Sequence, residues 1–445
     1  MSRRAARRRV LLIAYYFPPL GGGGVQRTLK HVKYLPDEGF EPIVLTTRLS
    51  WSSMRDPTLG ADLPAGTKVI RATEIPVQMA KWGLHGVLRR AGLSTDITSY
   101  VGWPDEMSGW VPAAIWHAFG AVRRHRPDVL YSTSSPVSAH LVALVVSRVT
   151  GIPWVADFRD SWMLNPQVRR LAAPVADLSE HLERAIVRHA RYVTIPDESV
   201  ELLDIGGEDP RLVLIRNGVD PDDLPPTVSE GRNAKFRLAH VGSLYGERDA
   251  APVFAALGRL IDRGAVDPRK VELRIVGSAA LDGDANLERL PVIRTGYVDH
   301  AEAVSEMAAA DALLLYAPPV IRGPSGKIYE YLVSGRPILC VTRADNFAFR
   351  LVHELRAGLC AEPGDQSAIE AAIERLYRRW AGGELRVDPQ VRDETLRRFS
   401  RAVLARQLAN VLDAAADDPQ RHGRRGLSPR TNQCSAGVNR GASPS

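Results

Sequence analysis

VLLIAYYFPPLGGGGVQRTLKHVKY (Val10–Tyr34) decides how the rest of the chain is read. Val10–Tyr16 is an unbroken apolar and aromatic run, the pattern of a strand buried on both faces. It follows arginines, as the core of a signal peptide would. It then passes straight into Pro18, Pro19 and a run of glycines, with no small-residue cleavage pattern. A strand, a glycine loop and a helix to about Tyr34 therefore open the chain.

The same alternation continues outward. Strand patterns recur at Pro42–Thr47, Val69–Thr73, Asp128–Thr133, Trp154–Phe158, Tyr192–Ile195 and Leu212–Gly218. Helical patterns fall at about Pro112–His125, Ser138–Val149 and Leu178–His189. Pro221–Pro226 interrupts the series and reads as a linker. The alternation restarts with strands at Phe236–Ser243, Val271–Gly277, Val292–Val298, Ala312–Ala317 and Pro337–Thr342. Its helices are Pro252–Arg263, Lys327–Ser334 and Ala368–Trp380, and one long helix closes it at about Thr395–Ala416. Apolar strands joined by helices predict parallel sheets covered on both faces, an α/β fold. Two such Rossmann-like, doubly wound domains would face a central cleft, where ligands bind at strand carboxyl ends.

Length and charge agree with this division. A chain of 445 residues exceeds the roughly 250–300 that one core supports. The cysteines Cys340, Cys360 and Cys434 are too few and scattered for a disulfide framework or a zinc knuckle, which fits a reducing cytoplasm. The net charge of +7 sits at the ends. Residues 1–9 hold five arginines and residues 417–445 a surplus of three positive charges, which leaves −1 on residues 10–416. That balance, with no helix-turn-helix or aromatic-basic motif, argues against nucleic acid as a partner. The tail beyond 417 is rich in Arg, Gly, Ser and Pro and reads as disordered. No stretch is apolar enough over about 18 residues to span a bilayer.

Four segments carry candidate chemistry. In Pro18–Arg27, Gly23 and Gly24 let backbone approach a ligand at a helix start; the spacing lacks the third glycine of the dinucleotide fingerprint. In Ala156–Trp162, the charges Asp157, Arg159 and Asp160 follow a strand end, where an acceptor or a catalytic group could be oriented. The turn Gly242–Arg248 offers Gly242 and Ser243 beside one cation, Arg248. The fourth, GPSGKIYEYLVSGRP (Gly323–Pro337), gathers Ser325, Gly326 and Lys327 at a helix N-terminus, a phosphate-binding arrangement. Glu330 follows one turn on and could accept hydrogen bonds from ribose hydroxyls.

With these motifs the sequence resembles the retaining GT-B glycosyltransferases of family four over about residues 10–416. The markers are FPPLGGGGVQR, ADFRD, IRNGVD (Ile215–Asp220), GKIYEYLVSGRPIL and the closing FSRAVLARQLANVL. The resemblance implies an acceptor-binding domain over residues 1–222 and a nucleotide-sugar-binding domain over 223–394. It also implies a terminal helix (395–416) that crosses back to the first domain, ahead of the basic tail 417–445. Sugar would pass from a nucleotide diphosphate sugar to a hydroxyl acceptor with retention, without a metal or other cofactor, in polysaccharide, glycolipid or glycoconjugate synthesis. Arg248 and Lys327 would neutralise the leaving diphosphate, Glu330 would hold the ribose, and Asp157, Arg159 and Asp160 would position acceptor or sugar. Three positions depart from the pattern: Arg322 stands where many members have a first glutamate, Ser243 where they have an arginine, and Arg159 where they have a histidine.

Two rivals share the fold: a nucleotide-sugar epimerase, and a non-catalytic partner subunit motivated by Arg322 and Arg159. Around Lys81, His85 and Arg89 a basic helix side opposes Leu84, Val87, Leu88 and Ala91, with Trp82 nearby. Such a segment could rest on an anionic membrane, giving a cytoplasmic enzyme peripheral to the inner face of the plasma membrane.

Overall fold

A computed structural model of the chain describes residues 7–48, 55–93, 100–163, 173–224, 233–242, 244, 250–278, 289–317, 323 and 326–417. The first domain runs β1 (Arg8–Ile13), α1 (Gly23–Tyr34), β2 (Phe40–Thr47), β3 (Lys68–Ala72), α2 (Val77–Arg90) and α3 (Val111–His125). It continues with β4 (Val129–Ser134), α4 (Ser138–Thr150), β5 (Trp154–Phe158), α5 (Ala173–His189), β6 (Tyr192–Ile195) and β7 (Leu212–Leu214). All pairings are parallel, in the order β3-β2-β1-β4-β5-β6-β7.

The second domain begins β8 (Phe236–Val241), α6 (Ala251–Asp262), β9 (Val271–Val276), β10 (Val292–Gly296), α7 (His300–Ala309) and β11 (Ala312–Tyr316). After these come α8 (Lys327–Val333), β12 (Ile338–Val341), α9 (Phe347–Glu354), β13 (Gly358–Ala361) and α10 (Gln366–Ala381). Its parallel order is β10-β9-β8-β11-β12-β13. In each sheet the winding reverses beside the first strand, between β1 and β4 and between β8 and β11. The architecture is the GT-B arrangement of two Rossmann-like domains.

Alternation along the strands explains the layering. Leu11 and Ile13 enter one core of the first sheet, Val10 and Leu12 the other. That second core is completed by the end of the chain: Leu404, Leu408, Val411 and Leu412 pack beside Val25, Leu29 and Val32.

The expected single closing helix is two, α11 (Gln390–Phe399) and α12 (Arg401–Asp417). The break at Ser400 has a non-local cause. Val219 N–H donates to Phe399 O at 3.0 Å, and Arg401 N–H donates to Val219 O at 2.9 Å. A Cβ on Gly218 would lie 2.0 Å from Phe399 O, so only glycine lets the two chain passages meet. The elements α7, α9 and β13 were not among the sequence expectations. The basic ends 1–6 and 418–445 lie outside the described residues.

Two histidines are locked in the first domain's interior. The His140 ring packs 4.5 Å from Phe158, with Nδ1 2.7 Å from Ser132 Oγ. Burial lowers its pKa from 6.5 to about 3, and that of His31 well below 6.5. The unfolded chain protonates both near pH 6.5, so this stability is fully present above 6.5 and is lost as pH falls toward 3. Urea unfolding at pH 5.5 should show about 3 kcal/mol less stability than at pH 7.5 from the two together. Equal midpoints would show that the rings are not held neutral.

Candidate functional site

Helix α1 begins where β1 delivers the glycine loop to the cleft, and three sets of contacts hold it. The first is a fully buried ion pair. Arg27 Nε donates to Asp157 Oδ2 at 3.0 Å and Nη2 to Oδ1 at 2.8 Å. Thr133 and Thr194 donate to the same carboxylate at 2.8 and 2.6 Å. Burial opposes the Asp157 charge, but Arg27 and Thr194 outweigh it and hold the carboxyl well below its ordinary range. The second is Arg159, whose Nη1 donates to Gly24 O at 2.6 Å and Nη2 to Ser135 O at 2.7 Å. In the third, Lys30 and Lys33 bind Asp62 and Asp220, with Tyr34 Oη donating to Asp220 at 2.6 Å. Lys30 also reaches Asp223. The acids Asp62, Asp220 and Asp223 stand close enough for a cation, and the two lysines occupy them.

Asp157 has no exposed surface, and none of Asp157, Arg159 and Asp160 lines the cleft cavity. Asp157 turns into the sheet to anchor α1, Arg159 fastens the glycine loop from behind, and Asp160 is exposed. Asp157 and Arg159 thus hold the start of α1 and the glycine loop from within the first domain.

Between the domains lies a cavity of about 510 Å³. The first domain contributes Gly22, Gln26, Asp56 and Leu59. Of the glycine run, Gly22 supplies the lining, while Gly24 faces Arg159. The second domain contributes Gly242 and Gly277 at the ends of β8 and β9, then Tyr297, Asp299 and His300, then Gly326, Lys327 and Glu330. Gly277 has φ +126°, and a Cβ there would stand 2.5 Å from Gly242 O. Bare backbone at both strand ends therefore leaves the cavity floor open to a ligand.

Helix α8 starts at the cavity edge. Lys327 Nζ lies 3.7 Å from Glu330 Oε2, and both side chains are half-buried. The pairing is loose, so a ligand can replace it at little cost. Glu330 Oε2 is buried and has no hydrogen-bond partner among the described residues. His300 lies 3.4 Å from Asp223, and the Asp223 contact raises its pKa.

Gly242, Gly326, Lys327 and Glu330 line one cavity, while Ser243, Arg248, Ser325 and Arg322 lie outside the described residues. Asp56, Asn217, His300 and Arg401 also line the cavity and were missed. Asp56 had a local signal, since Asp-Pro-Thr starts a helical turn and its side chain accepts from Thr58 N–H at 3.0 Å. Arg401 had none.

Residues 22–218 match a family described as glycosyl transferase 4-like domain, and residues 235–379 one described as glycosyl transferases group 1. No curated protein sequence matches the chain. Among solved structures, the chain resembles sucrose-phosphate synthase from Thermosynechococcus elongatus, at 14% identity and TM-score 0.59, covering 92% of this chain and 99% of that one. It also resembles Anabaena Alr3699/HepE, solved with UDP and glucose, at 17% identity and TM-score 0.60, covering 92% and 100%. Trehalose 6-phosphate synthase from Burkholderia multivorans is similar at 14% identity and TM-score 0.59, covering 94% and 100%. At such identities the structural likeness speaks for the fold.

Proposed function

We propose, from the premise that this chain belongs to the GT-B glycosyltransferases, that it transfers a sugar from a nucleotide diphosphate sugar to a hydroxyl acceptor with retention. The observation that carries this reading is the meeting of Lys327 and Glu330 on the wall of the cleft cavity, beside the bare backbone of Gly242 and Gly277. Glu330 accepts from the ribose hydroxyls. Lys327 neutralises the diphosphate as the bond from the anomeric carbon to the phosphate oxygen breaks. The acceptor oxygen bonds the same face of that carbon, and its proton passes to the departing phosphate oxygen. Gly22 backs the diphosphate from the first domain, and closure of the cleft limits hydrolysis. Retention draws support from the likeness of IRNGVD and GKIYEYLVSGRPIL to family-four motifs.

The test is a thermal-shift screen of nucleotide sugars, followed by mass spectrometry and NMR of the product made with a hydroxyl acceptor. The expected product keeps the donor's anomeric configuration. An inverted product would discard retention. Donor turned over to an isomeric nucleotide sugar without acceptor would favour the epimerase.

The acceptor is proposed to be lipid-linked and met at an anionic membrane. Helix α2 buries no residue, carries no acid and exposes Met79, Val87 and, at 71%, Trp82 beside Lys81, Arg89 and Arg90. No described helix is long and apolar enough to cross a membrane, so contact would be peripheral. Replacing Lys81 and Arg89 with glutamate should reduce co-sedimentation with anionic liposomes about tenfold; unchanged sedimentation would discard the contact.

A further inference from the structure

Arg401 opens α12, the helix built into the first domain's core, yet its side chain lines the cavity together with Asn217, Gly218 and Glu330. It is only 9% exposed, and its Nη1 is buried with no hydrogen-bond partner among the described residues. No carboxylate among the described residues forms an ion pair with it. Its neighbour Arg27 is committed to Asp157. Burial, and then the charge of Arg27, lower the Arg401 pKa to about 10, with Glu330 pulling the other way. It stays charged near neutrality.

An unpaired buried guanidinium is costly, and a fold keeps one where an anion arrives to complete it. The backbone fixes its position, because Arg401 N–H is held by Val219 O at 2.9 Å. The guanidinium fork suits two phosphate oxygens at once, which an ammonium cannot match. We infer that Arg401 binds the diphosphate of the donor, as a cation delivered to the site by the closing helix rather than by either sheet. The inference rests on the proposed donor class. It adds a recognition element that tells a nucleoside diphosphate from its nucleoside.

Calorimetry on the full chain tests it. The probes are whichever of UDP, GDP, ADP or dTDP gives the largest thermal shift, and the parent nucleoside. Arg401→Met should weaken the diphosphate about 10- to 100-fold and leave the nucleoside unchanged. Arg401→Lys should fall between. The ligand-free Arg401→Met protein should melt at or above the wild-type temperature, since a buried unpaired charge has gone. A merely structural arginine would move these the other way: lower melting, with both ligands weakened equally. That result, or unchanged diphosphate affinity, overturns the inference while leaving the donor reading intact. A wild type that binds none of the four diphosphates defeats both.

Discussion

Lys327→Ala should lower kcat/KM for sugar transfer by about 10²- to 10³-fold, the range seen when one preorganised charge on a developing anion is removed. Most of the loss should fall on kcat, because the diphosphate gains its charge as the bond breaks. Lys327→Arg should recover part of it. Folding should survive the change, since Lys327 and Glu330 are 3.7 Å apart and both partly exposed, and a melting curve of the variant checks that the loss is one of transfer. A variant that transfers sugar at the wild-type rate would remove Lys327 from the mechanism, and with it the observation that carries the function.

Arg27→Met should act on stability instead, costing about 3–5 kcal/mol, because it leaves the Asp157 carboxylate buried without its counter-charge. In thermal unfolding the first domain should melt roughly 6–20 °C lower. Thr133 and Thr194 still donate to that carboxylate, which keeps the loss toward the smaller value. Adding Asp157→Val to Arg27→Met should restore part of the loss, since both charges are then gone. If the double variant is no better than the single one, α1 is held mainly by its apolar packing and not by this pair. Donor affinity should also fall in Arg27→Met, because α1 carries Gln26 to the cavity and Gly22 immediately precedes it.

These two residues show what the sequence can and cannot yield. The placement of Lys327 beside Gly326 and Glu330 was legible because the cluster is local: glycines, a cation and an acid within one turn of a helix start. The parallel strands were legible because burial on both faces leaves unbroken apolar runs. Helix α7 had a legible cap, Asp299 accepting from Glu302 N–H, but its alanine-rich face gave no clear apolar period. Strand β13 spans four residues, too short for a pattern. The pairing of Asp157 with Arg27 was not legible, because a charge at a strand end can turn either way and Arg27 lies far off in sequence. Ser400 and Arg401 depend on Val219, so neither the helix break nor the arginine's entry into the cavity has a signature in the residues around it.

The placement of α12 also bears on how the protein is made. Leu404, Leu408 and Leu412 cover the same apolar face as Val10, Leu12, Val25 and Leu29, yet they are translated after the entire second domain. The first domain's own strands and helices have emerged by Gly218, and its cover follows roughly 190 residues later, on the order of 10–40 s at 5–20 residues/s. Throughout that interval the nascent chain displays a sticky surface that the finished enzyme hides. A circular permutant with α12 placed ahead of β1 would shorten that interval.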